Sequence, residues 1–325
     1  MQVSSTFKKT LRVLLFFVIL FILIKMASFF FEFLGKKSVG KVQDRNTNVA
    51  GIQVEAENTI DVLVLGDSES YTSVSPMQLF DETGITSYIC GQSAQRIIET
   101  YHVLETALQT QNPKLVMIET NTFFRHKGAN EEASAETFEN LQYQFQLFRY
   151  HNLWKQLFYG SSDTRSDYKG FVIRDWSQAY TGGEYMHPSD KEREVNEHIC
   201  GYMDKIVELC KENDIQILLY SAPSPKNYNS AKHNGLQKFA DKYGVDYIDL
   251  NYAVEDLGIN WKTDTADKGD HLNLNGAQKV TTYIGSFLKE NYSLEDHRGT
   301  ELGEVWNKLV DAYKNDIEKR EEKLL

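Results

Sequence analysis

Ile60-Asp61-Val62-Leu63-Val64-Leu65-Gly66-Asp67-Ser68 is the stretch on which the reading of this chain turns. A short run of branched apolar residues bounded by a turn signal marks a strand buried on both faces. It stops abruptly at Gly66-Asp67-Ser68, where two readings compete. In one, Asp67 or Ser68 merely caps the next helix. In the other, Ser68 stands at the carboxyl end of a parallel strand, the edge of an open α/β sheet where ligands and catalytic groups gather. The residues on either side decide between them.

Downstream, apolar runs and helical spacings alternate. Strands are expected at residues 61–65, 86–90, 114–119, 215–220 and 246–250. Helices are expected at 95–109, 192–213, 231–243 and 274–291. Helices of this length between strands imply crossover connections and a mainly parallel sheet covered on both faces. Residues 123–190 break the alternation. They carry Phe145, Phe148, Tyr150, Trp154, Phe158, Tyr159 and Trp176 but no clear strand. They read either as a helical insertion packed at the sheet edge or as a lid or wall for a polymer, since aromatic rings offer flat apolar contact. Residues 293–325 end in an amphipathic helix through Leu302, Val305, Trp306, Leu309, Val310, Tyr313 and Ile317, expected to dock on its own domain.

Upstream, residues 11–34 are apolar except for Arg12, Lys25, Ser28 and Glu32. The unbroken run 13–24 is shorter than the ~20 residues that span a bilayer core. Extended through Phe31 it is long enough, provided Lys25 snorkels or faces a partner. No clear small-residue cleavage site follows, so an uncleaved signal anchor is expected rather than a signal peptide. Lys8, Lys9 and Arg12 precede the span while Lys36, Lys37 and Lys41 follow it, a modest inside-positive bias. The expected order is a cytoplasmic tail (1–10), the anchor (11–34), a polar linker without period (35–58), a domain at 59–292 outside the cytoplasm, and the tail.

The chain has 325 residues and a formal net charge of −11, which argues against a nucleic-acid partner. Cys90, Cys200 and Cys210 do not make a disulfide framework, because the last two are too far apart along one expected helix. No cluster has metal-ligand spacing and no glycine-rich phosphate loop is present, so neither metal nor cofactor is expected.

Four short blocks fall on strand ends or loops of one expected rim. They are Gly66-Asp67-Ser68, Cys90-Gly91-Gln92-Ser93, Glu119-Thr120-Asn121, and Asp267-Lys268-Gly269-Asp270-His271-Leu272-Asn273. A serine hydroxyl needs a positioned imidazole to take its proton, and the imidazole needs an acid to fix its tautomer. The oxyanion formed on attack needs preorganised donors. His271 stands apart from the other histidines because Leu272-Asn273 and Gly276 follow it, a loop-to-helix entry with Asn273 or Asn275 as cap.

This ordered set resembles the SGNH, or GDSL-type, hydrolase family over residues 59–292. The resemblance implies a three-layer α/β/α sandwich with a flavodoxin-like sheet. It matches Ser68 to the nucleophile and His271 to the general base. The N–H groups of Ser68 and Gly91 and the amide of Asn121 match the oxyanion-hole donors. The chain departs from the family at the acid, whose usual place, three residues before the histidine, is taken by Lys268. Asp267 is favoured, with Gly269 letting the loop bend, and Asp270 is the alternative. Glu119 and Thr122 stand where the third block usually has glycine and aspartate.

The anchor, Tyr168-Lys169-Gly170-Phe171, Asp270-His271-Leu272-Asn273 and the Asp296-His297-Arg298 tail are similar to membrane-anchored members of Gram-positive bacteria. Some of these work beside a membrane-bound O-acyltransferase and move acyl groups onto cell-wall polymers. The resemblance therefore implies an esterase or O-acyltransferase at the cell envelope, with an acylated polymer or small ester as substrate and such an acyltransferase as partner. Its rival is a catalytically inactive SGNH-like module that binds polysaccharide or scaffolds an acylation complex.

Overall fold

Branched apolar side chains packed without a polar face leave a strand no solvent side, so such strands assemble in the middle of a sheet. The computed structural model, which describes residues 5–37, 44–125, 129–154 and 168–324, shows this for β1 (Val62–Leu65) and β3 (Leu115–Glu119), buried along their whole length. With β2 (Ser87–Ile89), β4 (Gln216–Ser221) and β5 (Asp246–Asp249) they form a parallel five-stranded sheet of order β2-β1-β3-β4-β5. The pairing sets Leu65 beside Ile118 and Glu119 beside Tyr220, so the carboxyl ends of three strands share one rim.

Strand order reverses direction after β2, so right-handed crossovers put the helices before the reversal and those after it on opposite faces. On one face α3 (Ser68–Ser73) and α4 (Pro76–Thr83) pack with α10 (Leu274–Asn291), and α11 (Glu301–Leu324) packs on α4. On the other, α5 (Ile97–Ala107) packs with α8 (Glu197–Glu212), and α9 (Ser230–Tyr243) lies against β5. The fold is α/β with both sheet faces covered. Caps set the boundaries. Asn196 starts α8 by accepting from the His198 N–H at 2.9 Å, so the helix begins later than residue 192. Asn273 starts α10, accepting from the Gly276 N–H at 3.3 Å. In the C-terminal helix Trp306 is buried and stacks on Phe80, with ring centres 5.1 Å apart. The three cysteines are free.

The chain divides into two units, Met1–Ala50 with Gly128–Arg165, and Gly51–Lys127 with Ser166–Leu325. The first contains α1 (Ser5–Lys37), long and apolar enough to cross a membrane by length and composition, together with α6 (Ala129–Gln144) and α7 (Gln146–Tyr150). The Lys25 ammonium donates to the Gln144 carbonyl at 3.3 Å and lies 4.7 Å from the centre of the Phe145 ring. The cation therefore has a partner within its own chain.

Where a structureless linker is expected at 35–58, Asp44–Ile52 forms helix α2, with Val49, Ala50 and Ile52 buried. Its Asn-rich sequence hid the short apolar face. Phe158 and Tyr159 of the insertion, Lys41, and residues 38–43 of the expected linker lie outside the described residues. Residues 168–196 of the second unit run as an extended strap without helix or strand.

Candidate active site

At the end of β1 the chain turns so tightly that a Cβ on Gly66, with φ 143°, would come within 2.7 Å of the Glu119 Cβ. Glycine is required there by close approach as much as by conformation. Asp67 then caps α3, its Oδ1 accepting from the Glu69 N–H at 3.0 Å. Ser68 follows as the first helical residue. Cap and strand-end serine, set against each other in the sequence, are here adjacent residues.

His271 reaches Ser68 from a loop after β5, pinched by an antiparallel bridge between Thr265 and Leu272. Its Nε2 lies 2.7 Å from the Ser68 Oγ, and its Nδ1 lies 2.7 Å from the Asp267 Oδ2. The His271 main-chain N–H donates to the other oxygen, Oδ1, also at 2.7 Å. Lys268 and Gly269, with φ 62° and 85°, are both left-handed. That double bend brings Asp267 back to the imidazole from four residues upstream. Asp270, the alternative acid, is not the partner: its Oδ1 is 4.0 Å from Nδ1 and accepts instead from the Asn227 amide at 2.8 Å. A residue directly beside the histidine leaves the chain in another direction and cannot reach the same ring nitrogen.

Burial opposes ionisation of Asp267, but the His271 main-chain N–H, the imidazole and the Arg174 guanidinium together hold its carboxyl below the usual range. Arg174 Nη1 donates to Oδ2 at 2.9 Å. The result is a serine, an imidazole and an ionised carboxylate in one hydrogen-bonded line, an arrangement able to transfer the serine proton to Nε2.

The expected oxyanion donors are tied to the same turn. Asn121 sits in a 3-10 turn (Thr120–Phe124) after β3, and its Nδ2 donates to the Asp67 Oδ2 at 2.9 Å. The amide carries two hydrogens, so this bond orients it without exhausting it. A Cβ on Gly91 would fall 2.2 Å from the Ser70 Oγ, so with Ser70 in this rotamer the backbone lies against α3 as glycine.

Beneath the turn lies a buried polar cluster that the sequence did not reveal. Glu119 is the position where the resemblance has glycine. Burial, and then the charge of Asp67, push its carboxyl up to about 8. It lies 2.5 Å from the Tyr228 hydroxyl, which lies 2.8 Å from the Thr120 Oγ1. Glu69 is buried, and burial followed by Glu119 and Asp67 holds it well above the usual range. It accepts from Asn227, whose amide also serves Asp270. Arg125 pairs with Asp67. Lys232, in contact with the Asn227 carbonyl, is pulled down to about 8, by burial first and then by Arg193. A glutamate closing a wholly apolar strand was the one available signal for this cluster. Arg174 offered none, since it lies in the aperiodic strap.

Glu69, Asp270 and His271 could each place a donor atom within 4.8 Å of the others. Asn227 already donates to both carboxylates, and both ring nitrogens of His271 are engaged by Asp267 and Ser68.

Fold and site together define an α/β protein with a Ser–His–Asp array on the carboxyl rim of a parallel sheet. No protein-family model matches the chain, and no curated protein matches it. Among solved structures it is similar to a GDSL-like lipase from Bacteroides thetaiotaomicron, at 11% identity and TM-score 0.40, covering 76% of this chain and 98% of that one. It is similar also to the psychrotrophic esterase EstA from Pseudoalteromonas sp., at 11% identity and TM-score 0.39, covering 70% and 96%. An acetyl xylan esterase matches at 16% identity and TM-score 0.38, covering 70% and 99%.

Proposed function

We propose that the chain is a membrane-anchored serine esterase or O-acyltransferase of the SGNH type, acting outside the cytoplasm on acyl esters of a cell-envelope polysaccharide or teichoic acid. The observation that carries this reading is the unbroken line from Ser68 Oγ through His271 to Asp267, with both links at 2.7 Å. His271 Nε2 takes the Ser68 proton as Oγ attacks the ester carbonyl. The amide of Asn121 and the N–H groups of Gly91 and Ser68 stabilise the oxyanion. The carbonyl re-forms, the alcohol leaves with the proton from His271, and an acyl-Ser68 remains. Water or a sugar hydroxyl, deprotonated by His271, then takes the acyl group and restores the serine. Hydrolysis and transfer differ only in that acceptor, and a membrane-bound O-acyltransferase is the partner that would supply acyl groups. The long apolar helix α1 supports the anchored location.

The reading is tested by treating the full-length chain with a fluorophosphonate probe. Labelling is expected in the wild type and absent in Ser68→Ala. A folded wild type that takes no label and cleaves no ester would replace the enzyme with an inactive binding or scaffold module. Digestion of the domain by protease added outside intact cells checks the side of the membrane.

A further inference from the structure

Asp267 already has what a Ser–His–Asp array asks of its acid. The His271 main-chain N–H holds one carboxylate oxygen and the imidazole Nδ1 meets the other. Arg174 is therefore surplus to the orientation of Asp267, yet it is brought to the same oxygen, Oδ2, at 2.9 Å. Its position is built. The Leu274 N–H, in the first turn of α10, donates to the Arg174 carbonyl at 2.8 Å. The neighbouring Asp175 pairs with Arg320 of α11 at 2.8 Å. Further along the strap, the Lys268 N–H donates to the Gln178 carbonyl at 2.9 Å. The strap is thus bonded both to the loop that carries Asp267 and to the helix that follows it.

We infer that Arg174 is a positioning residue that acts through Asp267 and sets the basicity of His271. A guanidinium sharing Oδ2 withdraws part of the carboxylate's charge from the imidazole, and it also repels a proton on the ring. Both effects favour neutral His271. The consequence for turnover rests on the esterase reading: a base kept neutral to lower pH can activate Ser68 in a more acidic envelope.

Other charged groups lie around the imidazole. Asp270 lies 4.0 Å from Nδ1 and favours the proton. Glu69 approaches from α3, and burial, then Glu119 and Asp67, hold its carboxyl well above the usual range. Lys226, from the loop after β4, donates to the Asp267 carbonyl at 2.9 Å and brings a positive charge to the same loop. Arg174 is the cation that bonds the carboxylate itself.

The test is an NMR titration of the full-length, 15N-histidine-labelled chain in detergent, with the His271 signal identified by its loss in His271→Asn. In Arg174→Gln the His271 pKa is expected to rise by about one unit, roughly tenfold in proton affinity. Arg174→Lys, which keeps the charge, is expected to stay near the wild type. Arg174→Met, which keeps the apolar stem, is titrated alongside so that a folding defect peculiar to glutamine does not hide the result. An unchanged or lowered His271 pKa in either folded neutral variant overturns the inference. Where wild-type turnover is Ser68-dependent, the acid limb of kcat/KM should move up with the NMR value. Should the wild type lack such turnover, the esterase reading fails, while the titration still decides the role of Arg174.

Discussion

His271 grips Asp267 twice, once through its main-chain N–H and once through Nδ1, each at 2.7 Å to a different carboxylate oxygen. Acid and base are therefore held together at two points by a single residue's backbone and ring, across a loop with two left-handed residues. Asp270 is excluded by the same geometry.

This exclusion is measurable. Asp267→Asn is expected to lower kcat toward a model ester by about 10⁴, as for other acids that fix an imidazole tautomer. Asp270→Asn should cost less than about tenfold, because it removes only a carboxylate outside hydrogen-bond reach of the ring. Equal losses in the two variants would contradict the assignment of the acid.

Asn121→Ala removes the amide held by Asp67 at 2.9 Å. A lost oxyanion donor typically lowers kcat about 10²–10³-fold. Steady-state kinetics should show kcat falling with KM little changed; a loss confined to KM would assign Asn121 to binding alone.

Glu119 makes stability depend on pH in a stated sense. Its carboxyl is raised from 4.5 to about 8 in the folded chain, so between those values the folded state holds more protons than the unfolded state. Stability is then fully present below the unfolded value and lost as pH rises through about 8. Buried Glu69 acts in the same direction. Asp267, whose carboxyl is depressed, acts oppositely, with stability present above its unfolded value and lost as pH falls through the folded one. Glu119→Gln removes the titrating group while keeping the shape of the side chain. Calorimetric melting from about pH 5 to about pH 9 should show a shallower decline in the Glu119→Gln variant than in the wild type. Parallel curves would count against a protonated Glu119.

Gly91→Ala would set a methyl 2.2 Å from the Ser70 Oγ, which itself bonds the Asp67 carbonyl at 2.7 Å. Such overpacking costs about 1–3 kcal/mol. Ser70→Ala deletes the obstructing oxygen, so the double variant should be more stable than the two single losses added together predict. Additive losses by denaturant unfolding would place the strain elsewhere.

Much of this architecture was legible in the sequence because apolar period and turn chemistry are local signals. Val62 to Leu65 and Leu115 to Glu119 announced buried strands, and Asn273 and Asn275 marked the entry to the last sheet-covering helix, which Asn273 caps. Ser68 and His271 stood out because each sits at such a boundary. The acid was half legible: Gly269 suggested a bend, but the second left-handed residue, Lys268, is a side chain rarely found in that conformation and gave no sign of it. Helix α2 was hidden by its asparagines and glycine, poor helix formers whose packing overrides propensity. Arg174 was beyond reach, since a contact 93 residues away from a strap without period leaves no trace in local pattern.

That strap has a second footing. Tyr168 donates its hydroxyl to Asp316 at 2.6 Å, and Asp175 pairs with Arg320, so residues on both sides of Arg174 are moored to the chain's last helix. Cutting the chain before Asp316 would therefore release the strap on both sides of Arg174, and activity measured on such a chain would report on a disturbed Asp267 as much as on the substrate offered to it.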